Sequence, residues 1–325
     1  MAVYTHLTRE TAGAFLSLFD IGALVALSGI SDGVENSNYL METTTGKYIL
    51  TLVEKRTPPE ALPFCIGFMA ALNAAGIPCP AAVATQDGQL ISRLQDRPAI
   101  ITTFLQGGWL KETTPTHLAA VGTLLGKMHR TGIGFPQTRA NPMGVQAWRD
   151  LIGLSLPRAG EVQQDLGAEL DTALRKVISA WPSQLPVGAV HADLFPDNVF
   201  FSGDGAAEKL SGVIDFYFSC TEMLAYDLML TLNAWCFDKS GHLDTAKSAA
   251  LLRSYHRERA LSDEEIAALP ILGQGAALRI VATRLYDWLH PAAGAVVTPK
   301  NPLEHVHILR FHQNAACGAD YGFSP

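Results

Sequence analysis

The chain has 325 residues, of which 48% are hydrophobic and 17% are charged, and its formal net charge is −7. This composition excludes a largely disordered protein, and a net negative charge without a basic run argues against a nucleic-acid-binding protein. The length is sufficient for two lobes with their own cores.

The cysteines and the N-terminus indicate the cellular compartment. Five cysteines are scattered without Cys-x-x-Cys spacing, a pattern typical of reduced thiols and of neither a disulfide framework nor a zinc site. The N-terminus has no basic segment followed by an apolar core, and no apolar run approaches the ~20 residues that cross a bilayer. We therefore expect a cytoplasmic protein that binds no membrane.

The N-terminal third predicts an antiparallel sheet. Residues 8–19 have the pattern of an amphipathic helix capped by Thr8. Apolar segments separated by turn-rich stretches follow at residues 24–27, 39–43 and 48–53, which is typical of an antiparallel meander. Further along, the patterns predict a helix over 58–75 ending at Gly76, a hairpin joining 83–84 to 90–91, and a buried strand over 99–104.

After residue 108 the pattern becomes helical. Apolar residues recur at helical spacing over 116–130, 166–178, 226–237, 246–259 and 271–289. We predict an α+β, bilobal, protein-kinase-like fold. Residues 1–104 would form a nucleotide-binding lobe with an antiparallel sheet, and residues 105–325 a mainly helical catalytic and substrate lobe. The nucleotide would lie in the cleft between them.

Two motifs in the second half carry chemistry. Asp193 and Asn198 follow one short apolar segment, and Asp215 follows another. Phosphoryl transfer needs a carboxylate that orients an attacking hydroxyl and two oxygen ligands for Mg²⁺. A turn rich in Asp, Asn and Pro is the alternative for the first motif. Asp215 lies between apolar neighbours, where a buried carboxylate requires a partner, so we favour the metal-ligand interpretation.

The stretch 28–39, between the first two predicted strands, is a candidate phosphate-binding loop. Its glycines permit close backbone approach to an anion, and its polar side chains add donors. The residues concerned are Gly29, Ser31, Gly33, Asn36 and Ser37. An ordinary hairpin is the alternative, and no Gly-Lys-Ser/Thr follows as in a Walker-type loop.

The cation that would contact the phosphates is not evident. Simple alignment of the third strand places Thr51 where kinase-like folds have a lysine. Lys55 has the same strand parity but lies ~13 Å further along. Lys55 or Arg56 is therefore the candidate phosphate ligand, and a solvated strand end is the alternative.

Together these residues resemble the homoserine kinases of the aminoglycoside phosphotransferase and choline kinase-like superfamily. The resemblance covers most of the chain and rests on residues 29–39, 48–56, 76–80, 191–199, 214–216 and 225–228. Within the superfamily, residues 35–39 and 233–237 point to homoserine kinase. The resemblance implies ATP-dependent phosphorylation of the L-homoserine hydroxyl, giving O-phospho-L-homoserine for threonine biosynthesis.

The resemblance also implies roles for individual residues. Asp193 matches the catalytic base, Asn198 and Asp215 match the magnesium ligands, and the backbone from Thr103 to Leu105 matches the segment that receives adenine. The missing third-strand lysine departs from the superfamily pattern. The implied ligands are ATP, Mg²⁺ and L-homoserine, while the oligomeric state does not follow from the sequence.

Residues around the motifs allow more than one role. His191 is expected to brace the loop through a backbone hydrogen bond. Asp227 would cap a helix and hold the loop, or reach the substrate ammonium. A C-terminal group would line the substrate pocket or form a solvated face, and comprises Arg279, Arg284, Tyr286, Asp287 and Trp288.

Two other functions remain open at this point. An aromatic cage of Tyr217, Trp235 and Trp288 would suit a choline, ethanolamine or aminoglycoside kinase. A non-catalytic nucleotide-binding protein would explain the missing lysine. Retention of Asp193, Asn198 and Asp215 argues against the second.

Overall fold

The computed structural model describes residues 5–30, 36–54, 57–205, 208–291 and 299–324. The chain divides into two compact units, and each unit is built from two separate stretches. The first unit comprises Met1–Gly107 and Phe200–Tyr217, and the second comprises Gly108–Val199 and Phe218–Pro325. The lobe boundary expected between residues 104 and 105 stays a prediction.

The first unit is organised around a five-stranded sheet with strand order β1-β2-β3-β5-β4. Its elements are α1 (Arg9–Leu16), β1 (Leu24–Ile30), β2 (Ser37–Thr43), β3 (Gly46–Leu52), α2 (Leu62–Ala74), β4 (Ser92–Leu94) and β5 (Arg97–Thr103). Every neighbouring pair of strands is antiparallel, which confirms the predicted meander. Alternate residues of β2 are buried, as expected for a sheet with one face on the core.

The core of the first unit lies between α1 and the sheet. Thr8 caps α1, since its hydroxyl accepts the N–H of Thr11, as predicted from the sequence. The helix ends at Leu16, three residues earlier than expected. Its Phe15 and Leu16 pack in one apolar cluster with Met41 and Leu50 of the sheet.

The predicted hairpin at residues 83–91 is wrong. Residues 85–89 form a turn, closed by the Thr85 N–H donating to the Gln89 carbonyl at 2.9 Å, but no strands flank it. The hairpin is formed instead by β4 and β5, whose turn holds Gln95 and Asp96 in the left-handed region (φ 50 and 60). Asp tolerates that region better than most residues, whereas Gly88 gave the more conspicuous turn signal.

The second unit is mainly helical. It contains α3 (Pro115–Ile133), α4 (Val145–Ser155), α5 (Leu166–Ser179), β6 (Val187–Val190), β9 (Cys220–Met223), α6 (Leu224–Trp235), α7 (Thr245–Glu258), α8 (Asp263–Leu289) and α9 (Leu303–Asn314). The five predicted helices are confirmed, while α4 and α9 were missed. In sequence, β7 (Val199–Ser202) and β8 (Lys209–Val213) lie between β6 and β9. They form a separate two-stranded sheet that, apart from Val199, belongs to the first unit.

Helix α8 is the core helix of the second unit. It begins at Asp263, eight residues before the predicted start, because Pro270 lies inside the helix and does not end it. Among the described residues it is the one helix long and apolar enough to span a bilayer, but 67% of its most apolar window is buried inside the protein. It packs against α4, α6 and α9, and this burial accounts for its composition.

Candidate active site

The loop after β6 is held in a strained conformation by a carboxylate. Ala192 has a left-handed backbone (φ 60), which costs about 1–2 kcal/mol for a residue other than glycine. The buried carboxylate of Asp227 accepts the N–H of Ala192 at 3.0 Å and the N–H of His191 at 3.3 Å. These two bonds stabilise the turn that precedes Asp193.

Asp227 does not cap a helix, which corrects one of its two expected structural roles. The N-cap of α6 is Met223, and Asp227 lies inside the first turn. Its location gives the carboxylate three N–H donors, since His129 Nε2 lies 3.0 Å away. The loop-holding role is therefore the one that the contacts of Asp227 support.

A chain of buried hydrogen bonds continues from His129. Arg259 Nη1 donates to the Tyr255 hydroxyl at 3.0 Å, and that hydroxyl lies 2.7 Å from His129 Nδ1. Because the Asp227 carboxylate can only accept, His129 carries a proton on Nε2, which faces Asp227. Burial raises the pKa of Tyr255, so its phenol is protonated and can donate to Nδ1. The tautomer of His129 is thus fixed by its neighbours.

Two further contacts fix the loop around Asp193. The N–H of Asp193 donates to His191 Nδ1 at 3.2 Å, so the predicted backbone hydrogen bond of His191 is confirmed. The indole N–H of Trp235 donates to the Leu194 carbonyl at 2.7 Å. Trp235 is buried, and its polar edge is used by the loop.

Asn198 is hydrogen bonded directly to Asp193. Its Nδ2 donates to the Asp193 carbonyl at 2.8 Å and to the Asp193 carboxylate at 3.3 Å. Because Nδ2 is the donor in both bonds, the carboxamide oxygen of Asn198 is the atom left to accept or to bind a cation. The structure thus brings together the expected base and one expected metal ligand.

Arg279 of α8 contacts Asp193, a contact that was not predicted from the sequence. Its Nη2 lies 3.4 Å from Asp193 Oδ1, and its guanidinium lies over the Phe218 ring, 5.3 Å from the centroid. Two other members of the C-terminal group differ from it: Arg284 pairs with Glu304 at 2.7 Å, and Trp288 is 42% exposed. Arg279 is the only charged residue between positions 266 and 283, and a lone charge in a buried helix is the signal that could have identified it.

Asp215 belongs to the first unit and is exposed, which corrects the expectation of a buried acid. Strand β8 ends at Val213, and Asp215 has a left-handed backbone (φ 64). Its neighbours are fixed: the Val213 N–H donates to the Pro78 carbonyl at 3.0 Å, and Phe216 packs edge-on against Phe68 of α2. The motifs at 76–80 and 214–216 therefore meet within one unit.

The expected phosphate-loop residues have different surroundings. Gly29 lies in β1 opposite Tyr39. Ser37 donates to Glu54 at 2.8 Å, and the Asn36 carboxamide oxygen accepts the Glu54 N–H at 3.1 Å. These two side chains fix the start of β2 against the end of β3. Ser31, Gly33 and Lys55 lie outside the described residues.

The segment expected to receive adenine has two backbone donors already in use. The Thr103 N–H donates to the Ala81 carbonyl at 2.9 Å, and the Phe104 N–H donates to the Lys47 carbonyl at 3.4 Å. Leu105 follows without a hydrogen bond from its N–H to any residue in the described part of the chain.

At the position of the missing lysine, Thr51 is engaged within the sheet. Its hydroxyl donates to the Asn38 carboxamide at 2.8 Å, and the Tyr217 phenol is also hydrogen bonded to Thr51. Burial raises the pKa of Tyr217, so the phenol is protonated. No cation is contributed by this strand position.

The described residues contain no cluster of three or more His, Cys, Asp or Glu side chains suited to a metal ion. Mg²⁺ is commonly held by one or two carboxylates with phosphate oxygens and water, and does not need such a cluster. The amide oxygen of Asn198 and the carboxylate of Asp215 are hard oxygen donors of the kind it prefers. The donor set therefore fits magnesium delivered with a nucleotide.

Comparisons with known proteins place the chain in a family. The model of the phosphotransferase enzyme family matches residues 26–261. The chain is 50% identical to a homoserine kinase of Granulibacter bethesdensis over 99% of this chain and 100% of that one. It is 49% identical to a homoserine kinase of a Bradyrhizobium species over 99% of this chain and 98% of that one.

Among solved structures, the chain resembles an amicoumacin kinase in complex with AMP-PNP and Ca²⁺, with a TM-score of 0.71. The identity is 16%, and the alignment covers 95% of this chain and 92% of the other. At this identity the likeness concerns the fold, and the expected aminoglycoside phosphotransferase-like α+β fold is confirmed.

Proposed function

Since the chain belongs to the homoserine kinases of the phosphotransferase enzyme family, we propose that Asp193 is its catalytic base and that Asn198 and Asp215 are its magnesium ligands. The reaction transfers the γ-phosphoryl group of ATP to the side-chain hydroxyl of L-homoserine. The product, O-phospho-L-homoserine, serves threonine biosynthesis. The supporting observation is the loop that holds Asp193 through its own backbone, through Asn198 and through Arg279.

Asp193 orients the acceptor hydroxyl and takes its proton. Phosphoryl transfer requires positioning more than covalent chemistry, so a base held from several sides is well suited to it. The carboxylate is 19% exposed, while the Arg279 side chain beside it is 4% exposed. Asp193 is therefore the accessible member of the pair and the one that meets the substrate.

Asn198 would hold the metal through its carboxamide oxygen and Asp215 through its carboxylate. Mg²⁺ held there would supply positive charge that neutralises the phosphate oxygens. Asn198 also keeps Asp193 in register, because the same amide group bonds the backbone and the carboxylate of Asp193. One residue thus joins the base to the metal-binding side of the site.

On the nucleotide side, we assign adenine to the Leu105 N–H, because the N–H groups of Thr103 and Phe104 are already hydrogen bonded. Gly29 would permit close approach of phosphate to β1. Asn36 and Ser37 would act by fixing the loop ends through Glu54. Ser31, Gly33 and Lys55 stay candidates from the sequence alone.

None of the five cysteines, all of which the structure describes, forms a disulfide, which supports a cytoplasmic enzyme with reduced thiols. The substrates are small molecules, and no partner is required by this chemistry.

The acceptor is tested by measuring ADP release with homoserine, choline, ethanolamine and kanamycin. Homoserine should give by far the highest kcat/KM, because a pocket that pairs both a carboxylate and an ammonium penalises acceptors lacking either group. Faster turnover of choline than of homoserine would overturn the proposal. Omitting the acceptor provides the background of ATP hydrolysis.

A further inference from the structure

Only one of the two terminal nitrogens of the Arg279 guanidinium has a hydrogen-bond partner in the described part of the chain. Its Nη2 faces Asp193, whereas its Nη1 is buried and has no hydrogen-bond partner among the residues that the structure describes. A guanidinium presents N–H donors on both nitrogens in a rigid fork. A buried donor left without a partner costs about 1–3 kcal/mol, so this arrangement indicates a group that arrives from outside.

The contact between Arg279 and Asp193 is also loose. Their closest atoms are 3.4 Å apart, whereas charge-assisted hydrogen bonds between such groups are ~2.7–2.9 Å long. The guanidinium is held mainly by burial and by its position over the Phe218 ring. It is therefore not committed to Asp193 and retains donors for a second anion.

A second buried arginine in the same unit shows what a purely structural role looks like. Arg259 donates from Nη1 to Tyr255 at 3.0 Å and from Nη2 to Glu265 at 2.8 Å. Both ends of its fork are satisfied within the protein. Arg279, which is more deeply buried than Arg259, has a partner in the described part of the chain for Nη2 but none for Nη1.

The surroundings of Arg279 contain other unsatisfied polar groups. The Tyr226 hydroxyl is buried without a partner in the described part of the chain, and so is the hydroxyl of Ser219, which follows Phe218 in sequence. Burial raises the pKa of Tyr226, and the charge of Arg279 works against that rise. The phenol thus lies within electrostatic range of the guanidinium and remains a potential donor.

We propose that Arg279 binds the α-carboxylate of the acceptor through Nη1 and thereby selects homoserine over alcohols that lack a carboxylate. The inference rests on the proposed function, since it concerns the same acceptor. A short carbon chain joins the hydroxyl and the carboxylate of homoserine, so one molecule can present the first to Asp193 and the second to Arg279. The acceptor reaches the guanidinium from the side of Asp193, the more accessible member of the pair.

The test removes the guanidinium of Arg279 and the carboxylate of the acceptor separately. Arg279→Met removes the guanidinium, and 3-amino-1-propanol is homoserine without its carboxylate. Hydrogen bonds to charged groups contribute about 1.5–3 kcal/mol, so the ratio of kcat/KM for homoserine to that for 3-amino-1-propanol should fall by ~10- to 100-fold. Titration calorimetry should show homoserine binding weakened by a similar factor. Arg279→Lys, which keeps the charge but not the fork, should retain part of the preference.

Arg284→Lys is the matched control, because Arg284 lies on the same helix and is paired with Glu304. In Arg284→Lys, the ratio of kcat/KM for homoserine to that for 3-amino-1-propanol should equal that of the wild type. Equal losses for both acceptors in Arg279→Met and in Arg279→Lys would overturn the inference, since Arg279 would then act only through Asp193. If Arg279→Met does not fold, the ratio for Arg279→Lys decides alone. Failure of the wild type to phosphorylate homoserine would instead defeat the proposed function.

Discussion

At the residue scale, Asp193 carries the most direct prediction. Asp193→Asn keeps the shape but removes the charge that orients and deprotonates the acceptor hydroxyl, so kcat should fall by ~10²–10⁴-fold. ATP affinity should change little, because the base faces the acceptor. Steady-state kinetics with homoserine and a nucleotide-binding titration on the same preparation measure both quantities.

The same loop provides the control for this variant. Asp197 is exposed and lies four residues from Asp193, and Asp197→Asn should keep near-normal turnover. Loss of ATP binding in Asp193→Asn, or retention of full activity, would show that Asp193 is not the base.

Asp215 is predicted to act through the metal. Asp215→Ala should abolish turnover and remove the magnesium dependence of ATP affinity, because it removes a ligand that joins the protein to the phosphates. Nucleotide titrations with and without Mg²⁺ measure this directly. Asp215→Asn, which tolerates the left-handed backbone and keeps an oxygen donor, should retain part of the dependence. Near-normal turnover in the alanine variant would contradict the assignment.

Contacts within this site could be predicted from the sequence where the residues lie close together in the chain. Asp193 and Asn198 are five positions apart, and their spacing was sufficient to bring them together. The contact between Arg279 and Asp193 spans 86 positions, so no local pattern could specify it. The burial of Asp215 was inferred wrongly, because two apolar neighbours do not reveal that the strand ends before the acid.

At the scale of elements, α6 supports the catalytic loop through Asp227. The Asp227 carboxylate accepts three N–H groups. In Asp227→Asn, the carboxamide has only one oxygen, and its NH₂ group faces at least one of these donors. The free energy of unfolding should fall by about 2–3 kcal/mol, and kcat should fall because the strained turn at Ala192 loses its restraint. Urea unfolding and acceptor kinetics measure the two effects.

The control for Asp227 is a carboxylate in a surface pair. Asp171 contacts Arg175 within α5, and such exposed i,i+4 pairs contribute little to stability. Asp171→Asn should change the free energy of unfolding by less than ~0.5 kcal/mol and leave kcat unchanged. Equal behaviour of the two variants would contradict the supporting role of Asp227.

The elements themselves were predictable to different degrees. The meander was recognisable because its turns carry typical turn residues between apolar segments, and the register then follows from alternation. Helix α8 was predicted to begin after Pro270, although a capping box of Ser262 and Glu265 marks its true start. Helix α9 was missed because three histidines interrupt its apolar stripe, and two of them, His305 and His312, are buried.

At the scale of the whole molecule, these buried histidines predict acid sensitivity. Burial lowers the pKa of His305 well below its ordinary value, and nearby Arg284 and Lys300 add to this; burial lowers the pKa of His312 to about 3. The unfolded chain, with an ordinary histidine pKa near 6.5, then binds protons more readily than the folded one. Stability is therefore present above about pH 6.5 and is lost as the pH falls below it.

His305→Leu isolates this effect, because both ring nitrogens of His305 lack partners in the described part of the chain. Between pH 7.5 and 5.5, the decrease in the free energy of unfolding should be about 1.4 kcal/mol smaller in the variant than in the wild type. Urea unfolding at the two pH values measures it. Val306→Ala, a buried change without a titrating group, should lower stability equally at both. An unchanged pH dependence in His305→Leu would refute the assignment.

The division into two units was only partly accessible from the sequence. A sheet-rich beginning and a helical remainder indicate two lobes, because the hydrophobic period changes once after residue 108. Nothing in that period reveals that residues 200–217 belong with the first unit. The contacts that tie them there, such as Val213 to Pro78 and Phe216 to Phe68, join positions far apart in the chain.

This interleaving has a consequence for the order of events on the ribosome. The first unit lacks residues 200–217 until about 110 further residues have been made, which at ~5–20 residues per second takes roughly 5–20 s. During that interval the faces of α2 and of the 76–80 segment that receive Phe216 and Val213 have no partner from their own unit. The first unit therefore cannot finish folding until residues 108–199, which belong to the second unit, have been translated.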